Sequence, residues 1–138
     1  MIHQQRVEDL MQPVPHPLHV EMSLSEAVDL ILQSGLSGLP VVDDDHQVCG
    51  FVSEHDCIDY LISGSYHCDS RILVRDIMFK EPVCASPGEN IIDQVQKMGG
   101  DKPKTWPVVR DGKLVGVISR RAIMRALNAS MKSCRPRL

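Results

Sequence analysis

The side chains in this chain best suited to chemistry are its five cysteines and six histidines. Two groupings, His55-x-Cys57 and His67-Cys68, combine imidazole with thiol, the ligand types that suit zinc. Their spacing argues against a metal. Cys57 and Cys68 lie eleven residues apart, which fits no tight ligand knuckle, and His55 and Cys57 point in different directions from one helix. A Cys–His nucleophile fares worse, because nothing supplies an oxyanion hole or a third orienting group. Two other polar groupings remain. Ser53-Glu54-His55-Asp56 sets a carboxylate three residues after a hydroxyl, a pattern that by itself makes a helix cap. Arg120-Arg121 places two cations at a helix start, where the dipole disfavours them, and so points weakly to an anion contact. These residues favour binding over catalysis.

The elements that must position them can be read from patterning. Ser23-Leu24-Ser25-Glu26 is a capping box, followed by Leu24, Ala27, Val28, Ile31 and Leu32 at helical spacing and stopped by Gly35. Leu39 to Val42 is a short buried strand, Asp43 to His46 a polar turn, and Gln47 to Val52 the returning strand. Ser53 then opens a helix that carries Ile58, Leu61 and Ile62. The same grammar follows later. Val83-Cys84-Ala85 reads as a strand, and Ser86-Pro87-Gly88-Glu89 as a cap with proline at the first helical position. Ile91, Ile92, Val95 and Met98 form a stripe ended by Gly99-Gly100. Thr105–Val109 and Lys113–Ile118 are strands joined through Asp111-Gly112, a strong hairpin signal. Ser119 caps the last helix, with Ile123, Met124 and Leu127 expected to face inward.

The chain thus repeats itself. Val7-Glu8-Asp9-Leu10-Met11 returns as Val74-Arg75-Asp76-Ile77-Met78, an offset of 67 residues. Pro40-Val41-Val42 returns as Pro107-Val108-Val109, and Gly50-Phe51-Val52-Ser53 as Gly116-Val117-Ile118-Ser119. Two copies imply two similar units packed about a pseudo-two-fold axis, with a cleft between them suited to a small ligand. Units of about 67 residues are marginal alone, so the halves are expected to share one core. We read residues 6–64 as the first repeat, 72–130 as the second, 64–73 as the linker and 131–138 as a flexible basic tail.

Composition narrows the partners. From Arg120 onward there are six basic residues and no acidic ones, so the preceding 119 residues carry nine basic against eighteen acidic side chains. An acidic body repels phosphate backbone, and one Trp, two Tyr and two Phe make a poor base-stacking platform. Nucleic acid is therefore not expected. An odd number of cysteines, no signal peptide at Met1 to Arg6 and no membrane-length apolar run together point to a reducing cytoplasm and no membrane.

Taken together these motifs resemble the cystathionine beta-synthase (CBS) domain. The shared features are the Asp-hydrophobe-Met lead-in, the Pro-Val-Val strand and Gly-x-hydrophobe-Ser, each duplicated in register across residues 6–130. The resemblance implies an α/β tandem CBS-domain pair, a Bateman module of two pseudo-symmetric β-α-β-β-α repeats. It further implies a non-enzymatic regulatory sensor of AMP, ADP, ATP or S-adenosylmethionine that needs no cofactor. Such modules are often homodimers that signal to an attached enzyme or transporter; with none attached here, the effector is expected to be a separate protein or another copy of this one.

The resemblance also assigns a site. Gly50 to Asp56 matches the family's Gly-hydrophobe-x-Ser/Thr-x-x-Asp motif in full, which implies that Asp56 accepts the ribose hydroxyls while Ser53 and the helix start face phosphate. The second copy, Gly116 to Ala122, has lost the Asp. Carried over, the Asp56 site takes Phe79, Pro82, Val83 and Cys84 as its adenine wall, together with Pro103, Lys104 and Thr105, while Ser37 and Gly38 lie near the phosphate. The alternative is a ligand-free dimerisation and interaction scaffold, in which Ser53 and Asp56 are only a cap.

Overall fold

The computed structural model describes residues 4–67, 71–100 and 103–134, the side chains of residues 66 and 67 excepted. The first half contains α1 (Val7–Leu10), β1 (Leu18–His19), α2 (Leu24–Ser34), β2 (Gly38–Val42), β3 (Val48–Ser53) and α3 (Glu54–His67). The second contains α4 (Val74–Ile77), α5 (Ile91–Lys97), β4 (Thr105–Arg110), β5 (Lys113–Ser119) and α6 (Arg120–Lys132). Strands β2 and β3 pair antiparallel, with β1 parallel on the outer edge of β2. Strands β4 and β5 pair antiparallel around Asp111-Gly112, both with positive φ as a tight hairpin requires. The expected order of elements is present in the first half, and in the second but for its opening strand.

Several local expectations need correction. Ser86 does not cap a helix. Its amide donates to Glu89 Oε1 in a turn, and α5 starts later, with Asn90 Oδ1 accepting the Ile92 amide at 2.8 Å. The proline misleads because Pro87 belongs to that turn. The strand expected over Val83 to Ala85 shrinks to one parallel bridge, Ala85 to Val108. Met124 faces solvent at 61% exposure, and Leu32 at 72%. Helix α3 runs to His67, into the expected linker, and α6 to Lys132, into the expected tail.

The core is divided into two clusters that the chain weaves together. One holds Leu18, Leu24, Ala27, Ile31, Leu39, Val41, Val52 and Cys57 of the first half, and also Val74 and Ile77 from α4. The other holds Ala85, Ile91, Met98, Trp106, Val108, Ile118 and Ile123 of the second half, and also Val7 from α1. Each lead-in helix thus completes the other repeat. Backbone hydrogen bonds follow the same exchange. Val7 N donates to Glu89 O and Ile91 N to Gln5 O; in the mirrored arrangement, Val74 N donates to Met22 O and Leu24 N to Ile72 O. Burying each such aliphatic side chain contributes roughly 1.5–3 kcal/mol. The halves share their core by trading a helix each.

The exchange explains why the lead-in motif and the Gly-x-hydrophobe-Ser motif occur together. A Cβ on Gly50 would come within 2.6 Å of Met78 Sδ, and one on Gly116 within 2.8 Å of Gln12 O and 3.2 Å of Met11 Sδ. The methionine closing each lead-in lies over the glycine of the opposite repeat. The aspartates of the lead-ins act locally: Asp9 Oδ2 accepts the Arg6 amide at 2.8 Å and Asp76 Oδ2 the Leu73 amide at 2.9 Å.

Candidate ligand site between the repeats

The cleft begins where the repeats meet. Ser37 and Thr105 stand at the entries of β2 and β4, with Ser37 Oγ and Thr105 Oγ1 3.4 Å apart. Each of these segments also anchors a helix start: Glu54 N donates to Ser37 O at 2.8 Å and Arg120 N to Lys104 O at 2.9 Å. The amino ends of α3 and α6 are therefore tied to the strand entries. A cavity of about 340 Å³ lies there, lined by Ser37, Phe51, Ser53, Glu54, His55, Gly100, Pro103, Lys104, Thr105 and Arg120.

Of the residues singled out in the sequence, Ser37, Ser53, Lys104 and Thr105 meet in this cavity. Asp56 is half-buried one turn along α3 and does not line it. Its Oδ2 accepts both the Ser53 hydroxyl, at 2.9 Å, and the Ser53 amide, at 3.2 Å, while Ser53 Oγ accepts the Asp56 amide. The capping box is thus formed, yet no donor among the described residues reaches Asp56 Oδ1.

Phe79, Pro82, Val83 and Cys84, the expected adenine wall, do not line this cavity. Phe79 is held against β3 by reciprocal backbone hydrogen bonds with Phe51, at 3.0 and 2.9 Å, and its side chain is 60% exposed. Val83 is likewise exposed, Pro82 is half-buried, and the half-buried Cys84 thiol donates to Pro82 O. Gly38 is buried; a Cβ there would come within 2.6 Å of the Phe51 ring. Sequence reasoning missed Phe51, Glu54 and His55 as lining. Their signal lies in the same Gly-Phe-Val-Ser-Glu-His run that identifies Ser53.

A larger groove of about 940 Å³ opens next to this cavity at the degenerate second motif. Ser119, Arg120 and Arg121 line one end, together with Glu54 and Ser37, and Met124, Leu127 and Met131 of α6 line the rest. Ser119 Oγ accepts the Ala122 amide at 3.1 Å, so the cap survives the loss of its carboxylate.

The Cys57 and Cys84 thiols are poor candidates for chemistry. Burial, then the charges of Asp56 and Glu54, push the Cys57 thiol up to about 11, and burial also raises Cys84. A protonated buried thiol is inert as nucleophile or ligand. Among the described residues no three His, Cys, Asp or Glu side chains converge as metal ligands; Cys68 lies outside them. No helix among the described residues is long and apolar enough to cross a membrane.

Two repeats that exchange their lead-in helices, with a cleft between them, define a tandem-repeat architecture, and comparison with known proteins identifies it. The chain belongs to the CBS domain family, whose model matches residues 7–63 and 74–129. Its fold is similar to that of the CBS-pair protein CBSX2 from Arabidopsis thaliana, solved in complex with AMP. That likeness has a TM-score of 0.78 at 28% identity, over 91% of this chain and 98% of that one. Among curated proteins it is similar to an uncharacterized protein of Methanocaldococcus jannaschii, at 26% identity over 89% of this chain, and to the chloroplastic CBSX1 of Arabidopsis thaliana, at 28% over 80%. The chain spans 43% of the first of these relatives and 58% of the second.

Proposed function

We propose that this CBS pair is a regulatory module that binds an adenosine-containing nucleotide once per chain, between its repeats at the Ser53–Asp56 motif. The observation that carries this reading is the convergence of Ser37, Ser53, Lys104 and Thr105 on one cavity, beside a carboxylate with one oxygen unused among the described residues. In this reading Asp56 Oδ1 accepts a ribose hydroxyl while Oδ2 keeps the cap. Phe79, Pro82, Val83 and Cys84 form the adenine wall, and the exposed Phe79 and Val83 side chains supply apolar surface that a planar base can cover. The α3 amino terminus, Lys104 and Arg120 face the phosphate. Gly38 keeps the floor flat. CBSX2, a relative with this fold, takes AMP.

The module itself catalyses nothing and needs no cofactor in this reading. It acts in the cytoplasm as a homodimer and signals to a separate effector protein. Ligand binding favours one relative angle of the repeats, and the effector responds in proportion to the ligand's differential affinity for the two angles. The alternative reading, a ligand-free interaction scaffold, draws on the fact that Ser53 and Asp56 already satisfy each other as a cap.

Calorimetric titration with AMP, ADP, ATP and S-adenosylmethionine, paired with thermal unfolding, separates the two. One equivalent bound and a raised melting temperature are expected for at least one of them, because a ligand of the folded state alone stabilises it. No heat and no stabilisation at millimolar concentration would leave the scaffold.

A further inference from the structure

The helix exchange divides the chain into two packed bodies that do not follow its halves. One comprises α2, β1, β2, β3 and α3 with α4; the other comprises α5, β4, β5 and α6 with α1. Backbone hydrogen bonds outside the regular elements mostly stay within one body, as those of Phe79 with Phe51, Gln12 with Val117 and Ala85 with Pro107 do. Among the described residues two join the bodies: Val48 N donates to Gly112 O at 3.1 Å and Leu114 N to His46 O at 3.2 Å. They flank an antiparallel bridge between Gln47 and Lys113, so the turn of one hairpin is laced to the turn of the other.

This lacing lies at the far end of both hairpins from the cavity. Gly38 pairs with Ser53 at one end of β2–β3 and Val42 with Val48 at the other. Thr105 with Ser119 and Arg110 with Lys113 mark the same ends of β4–β5. At the cavity end the bodies approach through side chains: Ser37 Oγ and Thr105 Oγ1 stand 3.4 Å apart, beyond the roughly 2.5–3.0 Å of a good hydroxyl bond. The cavity itself takes its lining from both bodies, Ser37, Ser53 and Glu54 from one and Lys104, Thr105 and Arg120 from the other. The stretches that carry the chain between bodies, residues 13–17 and 80–84, contain neither helix nor strand.

Resting on the nucleotide reading above, which needs two relative angles, we propose that the laced hairpin turns are the hinge about which that angle changes. Backbone bonds hold the turn end together, and the loosely joined cavity end swings. Hinges are a few loop or element-terminal residues that absorb dihedral change, and Gly112, at φ 80° in its turn, is such a residue. The strands between hinge and cavity are five to seven residues long. At about 3.3 Å per residue they make a lever of roughly 17–23 Å, so a rotation of about 10° moves the cavity mouth by about 3–4 Å. That parts Ser37 from Thr105 and lets ligand oxygens bridge them instead.

Amide residual dipolar couplings of the full chain, which give the relative orientation of the two bodies, test the hinge with AMP as probe. The deciding variant carries Gln47→Cys with Lys113→Cys. These exposed residues lie outside the cavity and face each other as a non-hydrogen-bonded antiparallel pair, close enough for a disulfide. With the cross-link mapped by mass spectrometry, saturating AMP should rotate the bodies by about 10° in the wild type and by the same angle in the cross-linked chain, because a hinge does not part at its pivot. A rotation lost on cross-linking would place the pivot elsewhere and overturn the proposal. So would an unchanged orientation with AMP shown bound by calorimetry, an outcome that leaves the nucleotide reading intact. Where calorimetry shows no AMP bound, that reading falls instead, and the ligand-free chain decides the hinge: unequal alignment order in the two bodies supports it, and equal order, as in one rigid body, overturns it.

Discussion

In the proposed reading Asp56 serves two ends, as a helix cap and as a ribose ligand. If it holds ribose, Asp56→Ala should cost roughly 1.5–3 kcal/mol of nucleotide affinity through lost charge-assisted hydrogen bonds. Lost capping should cost about 1 kcal/mol of stability separately; titration of a folded variant with unchanged affinity would reduce Asp56 to a cap. Gln94 makes the opposite case. It is fully buried in α5, both polar atoms of its amide lack a partner among the described residues, and the corresponding residue of the first repeat is Ala27. Replacing it by the similarly shaped Met should stabilise the protein by about 1–3 kcal/mol in chemical denaturation. Cys57 gives a pH signature. Its folded-state thiol is raised to about 11, so the unfolded chain loses that proton first, and stability should fall as pH rises from about 9. Comparing Cys57→Val with wild type over that range isolates the effect; equal slopes would refute it. The Ser53 and Asp56 pair is legible in the sequence, because a cap and a ribose ligand use the same spacing. Gln94 is not, since a glutamine on an amphipathic helix ordinarily faces water.

At the scale of elements, the pairing of glycine with methionine across repeats makes a graded prediction. Gly50→Ala meets the Met78 side chain, which has rotamers to retreat into, whereas Gly116→Ala also meets the Gln12 carbonyl, which is fixed by its hydrogen bond with Val117. Both should destabilise, by roughly 1–3 kcal/mol, with Gly116→Ala the worse. Thermal melts that rank them the other way would show the backbone there to be softer than its hydrogen bonding implies. Hydrophobic periodicity locates every long helix and both hairpins because local patterning specifies them. It fails where tertiary context overrides local signal. Pro87 imitates a helix start but serves a turn, and Met124 obeys core spacing yet faces outward. An inward stripe and one left exposed have the same period, so sequence alone does not separate them.

On the scale of the whole molecule, the trade of lead-in helices makes the halves a single cooperative unit. Residues 1–67 and 71–138 produced separately should each lack a fixed fold by NMR, and mixing them should restore one. The duplication announces that two units pack together, but not that each is finished by the other, because a pattern of apolar residues does not record which cluster they join. The crossing also bears on how the protein is made. A ribosome delivers the chain from the amino end, and ordinarily the first domain closes while the second is still in the tunnel. Here the first cluster waits for Val74 and Ile77, and Val7 has no berth until Ile118 and Ile123, far downstream of it, arrive. The nascent chain must hold α1 in reserve until β5 and α6 have been synthesised.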